Sequence, residues 1–120
     1  MATVQTVAST LRETRDKMTV YVVQKPDSKK NILSAAKFGD FELILDHTPD
    51  MLFSPVPTIA KIRKKLQKFS DDDYILLIGD PVVIGICVHY ALLNNGGKAN
   101  LLKWDNREFI YYNLEVNTNV

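Results

Sequence analysis

The side chains able to do chemistry in this 120-residue chain are few and scattered. Asp71, Asp72 and Asp73 are consecutive, so their carboxylates diverge, and the glycine and closing glutamate of a calcium loop do not follow. His47 stands beside Asp46 ahead of a proline-rich stretch, while His89 lies in an apolar run. A metal site would need both histidines to meet by folding. No metal or other cofactor is expected. Cys87 is the only cysteine, which excludes an internal disulfide and marks a small buried hydrophobe. On a helix it points away from His89, two residues on, so no thiol–imidazole couple forms. Neither Ser54 nor Ser70 sits in a nucleophile elbow. The expectation is a protein that is not an enzyme.

Two patterns carry more. Gly79-Asp80-Pro81 joins a strand to a helix, where amides can hold an anion, so it is a candidate for a nucleotide or phosphometabolite. The glycine-rich fingerprints of such sites are missing, and Asp80 would repel a phosphate, so a structural cap is the plainer reading. The second pattern is basic. Lys61, Lys64, Lys65 and Lys68 fall on one broad face of a helix predicted over 58–69, with Arg63 at its side and no acid among them. That face suits an acidic protein surface or, as an alternative, a phosphate backbone. It also reads as an ordinary solvated face whose cations complement the helix C-terminus. Trp104, Phe109, Tyr111 and Tyr112 add rings near the C-terminus, with Tyr112 on the opposite side from Phe109 and Tyr111. Trp104 and Tyr112 are therefore candidates for a contact surface or a homodimer seam.

The elements that must position these residues follow from periodicity. Val20 to Val23 is continuously β-branched or aromatic, as in a central strand. Residues 31–37 either extend or form a short helical turn, and Phe41 to Leu45 is a second strand. Pro49, Pro55 and Pro57 predict an extended loop from Asp46 to Thr58, which either forms a binding edge or, the plainer reading, is a connection with Met51, Leu52 and Phe53 plugging the core. Ile59, Ile62, Leu66 and Phe69 form the apolar stripe of the helix over 58–69. A strand over Tyr74 to Ile78, an apolar helix over Val82 to Leu93 and a strand over Ala99 to Trp104 make a β-α-β unit. The helix is apolar on nearly every side, which predicts burial by another layer or a partner subunit, and Gly85 would let it approach the sheet closely. Phe109 to Val116 returns as a hairpin strand. The fold expected is α/β (α+β): one small domain over 18–120, with a mixed sheet of about five strands, a β-α-β unit, a C-terminal hairpin and two main helices. Residues 1–17 form a peripheral arm, a short surface helix, or an extension upstream of Met18.

Lysine and arginine number 15 against 14 acids, a net charge of +1 that gives no bulk push toward nucleic acid or membranes. No signal peptide is apparent, and the longest apolar run is too short to span a bilayer. The stretches DDDYILLIGDPVVIGI, LLKWD and KFGDFELIL resemble small accessory proteins of marine cyanobacterial phages, over roughly Thr19 to Tyr112. The resemblance implies a viral protein of the host cytoplasm. Such proteins often bind a host enzyme and redirect it. The combined expectation is an interaction module that self-associates, with a host or viral protein as partner and no membrane.

Overall fold

The structure, a computed structural model, describes residues 18–27 and 31–120; the expected arm over 1–17 lies outside them. One sheet of five strands runs in the order β2-β1-β3-β4-β5. The strands are β1 (Thr19–Gln24), β2 (Asp40–Leu45), β3 (Tyr74–Leu76), β4 (Lys98–Asp105) and β5 (Ile110–Asn117). The first four are mutually parallel, and β5 pairs antiparallel with β4. The single α+β domain, the β-α-β unit and the hairpin are thus as expected. β1 earns its unbroken apolar run by its position, since it has a partner on each side and helical cover on both faces.

Alternation along the strands divides the core in two. Tyr21, Val23, Ile75, Ala99 and Leu101 face the helices α1 (Pro55–Lys65) and α2 (Pro81–Asn94), which supply Ile62, Val83, Cys87 and Ala91. Val20, Val22, Leu76 and Leu102 face the other way, where the 3-10 helix Leu33–Phe38 covers them with Ala35 and Phe38. Connections moving from β1 to β2 therefore use one face, and those moving to β3 and β4 use the other. Right-handed crossovers require this wherever strand order reverses. Gly39 seats the 3-10 helix against the sheet: a Cβ there would come 2.1 Å from the Met18 carbonyl oxygen.

Several expectations need correction. The basic helix is Pro55–Lys65, not 58–69. Pro55 and Pro57 fall inside its first turn, where a missing amide costs nothing, so they start the helix earlier than a proline-enforced loop would. Leu66 and Phe69 still bury, but from the turn beyond the helix, and Lys68 sits in that turn. In the loop before α1, Met51 packs on the core while Leu52 and Phe53 are exposed rather than plugging it. The helix α2 buries a single stripe, Val83, Cys87 and Ala91, at i, i+4 and i+8; Val82, His89 and Leu93 face outward. Its apolar sequence therefore exceeds what the fold covers. Gly85 lies on that outer side, and a Cβ there would meet nothing within 4 Å, so close approach to the sheet is not its role. Phe109 is not a strand residue either; it occupies the hairpin turn at φ 55°. Among the described residues no helix is long and apolar enough to cross a membrane.

Candidate functional site

The expected anion site at Gly79-Asp80-Pro81 lies at the carboxyl ends of β1 and β3, where the strand order reverses. Two of its amides are already engaged within the chain. The Val82 amide donates to Asp80 Oδ1 at 2.8 Å, which caps α2, and the Asp80 amide donates to Gln24 Oε1 at 3.1 Å. Gly79, at φ 118°, leaves room for that Gln24 side chain; a Cβ would approach its oxygen to 2.7 Å. The corner is self-filled, a lock between β1 and α2.

The acidic run also resolves into separate roles. Asp73 is the buried one: its carboxylate accepts from the Ser70 amide (2.9 Å), the Ser70 hydroxyl (3.2 Å) and the Thr19 amide (3.2 Å). Burial raises its pKa despite those bonds. Asp71 accepts from Asn95 Nδ2 at 2.9 Å and lies 3.9 Å from Lys98 Nζ, while Asp72 is exposed. Asn100 Nδ2 donates to the Asp71 and Asp73 carbonyls. These bonds tie the turn before β3 to the start of β4 and border a polar cleft of about 460 Å³.

Burial pushes the Cys87 thiol up to about 12, which removes the thiolate from neutral chemistry. Tyr21 rises to about 12 through burial, with Asp73 and Glu42 adding repulsion. His47 pairs with its neighbour Asp46 at 2.6 Å; that bond, and the Lys61 charge, hold the Asp46 carboxyl below its usual range.

The basic residues fall into two sets. Lys61 and Lys65 lean toward β2 and meet Asp46 (3.6 Å) and Glu42 (3.8 Å). With Lys64 they line an open hollow of about 430 Å³ against Glu42. Arg63, Lys64 and Lys68 are exposed. Arg63, Lys64 and Lys65 also occupy the last turn of α1, where they favour the helix dipole. The exposed row continues through Ala60 to Val56, and the turn before α1 carries Leu52 and Phe53. Leu52, Phe53 and Val56 are 81%, 82% and 73% exposed. The Met-Leu-Phe run reads as core, so the cue to this apolar end is the proline-bounded loop; Asp50 caps its turn by accepting from the Phe53 amide.

The aromatic candidates are not brought to this surface, nor to each other. Trp104 packs on the 3-10 side of the sheet, its ring 5.0 Å from Tyr111 and 6.4 Å from Phe109. Tyr112 follows Tyr111 along β5 and points to the other face. Both lie on the β4–β5 hairpin at one end of the sheet, whereas α1 packs beside β2 at the opposite edge.

No curated protein and no solved structure matches the chain. The family model of the phage Pam3 gp32-like protein matches residues 18–118.

Proposed function

The chain belongs to the phage Pam3 gp32-like protein family, and from that premise we propose that it is a self-associating interaction module that docks an acidic protein surface on α1. The observation that carries this reading is the two-part outer row of α1: Leu52, Phe53 and Val56 uncovered at its start, cations at its end. Exposed large apolar side chains grouped this way mark contact sites more often than they mark plain surface. Lys61 and Lys65 are shared with Asp46 and Glu42, so Lys64 at the rim of the hollow is the cation offered to a partner's carboxylate. Apolar anchoring supplies affinity, and the cations supply steering and register. The partner in this reading is a host protein in the cytoplasm of an infected, cyanobacterial cell.

The test is capture from infected-host lysate by the full chain, with and without nuclease, alongside Phe53→Ser and Lys64→Glu variants of unchanged circular dichroism. A protein retained through nuclease and lost in both variants supports the reading. Recovery abolished by nuclease, with a steep log-linear salt dependence, would transfer the same face to nucleic acid. Equal capture by wild type and variants would remove α1 as the docking surface.

A further inference from the structure

We infer that β5 is the self-association edge: two copies of the chain pair their β5 strands antiparallel about a twofold axis at Asn113, doubling the five-stranded sheet. Strand order places β5 at an end of the sheet. The Thr118 amide donates to the Gly97 carbonyl at 2.8 Å, so by alternation Ile110, Tyr112, Leu114 and Val116 turn their backbone groups toward β4. Tyr111, Asn113, Glu115 and Asn117 then present amides and carbonyls to an edge that no other described strand pairs. That edge lacks the usual guards: it holds no proline, no lysine and a single charge, Glu115. The opposite edge, β2, carries Asp40 and Glu42 and has α1 beside it.

The side chains select a second copy as the occupant. Ile110, Tyr112 and Leu114 are 42%, 38% and 48% exposed, in line with Val116, which packs into the helix-side core. Centring the axis on Asn113 sets Ile110 against Val116 of the second copy and Tyr112 against Leu114, each pair occurring twice. Every helix-side pair is then apolar, and such cross-strand pairs are the unit of sheet stability. On the other face Glu115 meets Tyr111, so no like charges oppose; centring on Glu115 would set two carboxylates together. Asn113 supplies a further sign. Its Oδ1 is buried without a donor among the described residues, and its Nδ2 reaches only Asn100 Oδ1 at 3.5 Å. Turned outward on the axis, its carboxamide meets its own copy, which brings both a donor and an acceptor.

This inference specifies the self-association in the reading above but is independent of α1, so a monomeric result overturns it and leaves α1 docking standing. The experiment is sedimentation equilibrium of the full chain up to about 100 µM, with the variants Asn113→Pro and Leu114→Lys. The expected species has twice the 13.6 kDa monomer mass. Asn113→Pro deletes an amide that makes no bond within the sheet, and it raises the dimer Kd at least about tenfold with circular dichroism unchanged. Leu114→Lys does the same from the side-chain direction and carries the test should the proline variant not fold. Oxidised Asn113→Cys in a Cys87→Ala background gives a covalent dimer, because opposed residues of a hydrogen-bonded pair lie about 5.5 Å apart. A monomer at the highest concentration, a dimer indifferent to both substitutions, or no cross-link from Asn113→Cys would overturn the β5 pairing.

Discussion

Asp73 holds together two segments that the strand ladder alone does not join. One carboxylate oxygen takes the Thr19 amide at the start of β1, and the other takes the Ser70 amide and hydroxyl. An asparagine would present an N–H to one of those donors, so Asp73→Asn is expected to destabilise by about 1–3 kcal/mol in urea unfolding. Burial raises the folded pKa of Asp73, so the unfolded carboxyl ionises first as pH rises. Its contribution to stability therefore declines from the ordinary carboxylate value up to the raised one. Tyr21 has the same sign at the alkaline end. Its phenol ionises near 10.0 unfolded but near 12 folded, so stability is lost between those values. Unfolding midpoints followed from pH 9 to 12 should fall less in Tyr21→Phe than in wild type. Cys87 should react with a thiol reagent only at the rate of unfolding, in step with loss of the far-ultraviolet signal. The chemistry of Cys87 was legible from its apolar neighbours. That of Asp73 was not, because its decisive partner, Thr19, is 54 residues away.

At the scale of elements, α2 shows how far periodicity carries. Its cap was readable, since it is local chemistry: Asp80 accepts from Val82, and at the far end the Gly97 amide returns to the Leu92 carbonyl at 2.8 Å. Which side would be buried was not readable, because apolar residues surround the axis and only the position of the sheet breaks the tie. That uncovered side gives a clean expectation. Gly85 is helical, exposed and free of neighbours, so Gly85→Ala should stabilise by about 0.5–1 kcal/mol, seen as a higher urea midpoint with unchanged slope. Val83→Ala, two residues earlier on the buried stripe, should cost roughly 1–3 kcal/mol in the same measurement. The loop before α1 misleads in the opposite sense. Three prolines predict an extended connection, yet two of them begin the helix, and the Leu52-Phe53 pair that looks like core faces water. Local propensity was right about Pro55 as a helix starter but had no means of ranking that role against a turn.

For the molecule as a whole, the sheet separates its two candidate surfaces. The α1 row lies beside β2 at one edge, and β5 forms the other, so joining copies through β5 leaves both α1 rows facing outward. The family match adds a phage context to this architecture and reaches from the residue before β1 through the end of β5. The same strand order has a consequence in time. Only the β4–β5 hairpin joins neighbours in sequence without a crossover; β1, an interior strand, takes both of its partners from later in the chain. At synthesis rates of about 5–20 residues per second, β1 leaves the ribosome several seconds ahead of β3. Through that interval its run of valines has an open ladder on at least one side. A strand whose Val20–Val23 run is buried in the finished protein is thus vulnerable while it is being made, and aggregation during expression should respond to substitutions in Val20–Val23 far more than to equal changes in the hairpin.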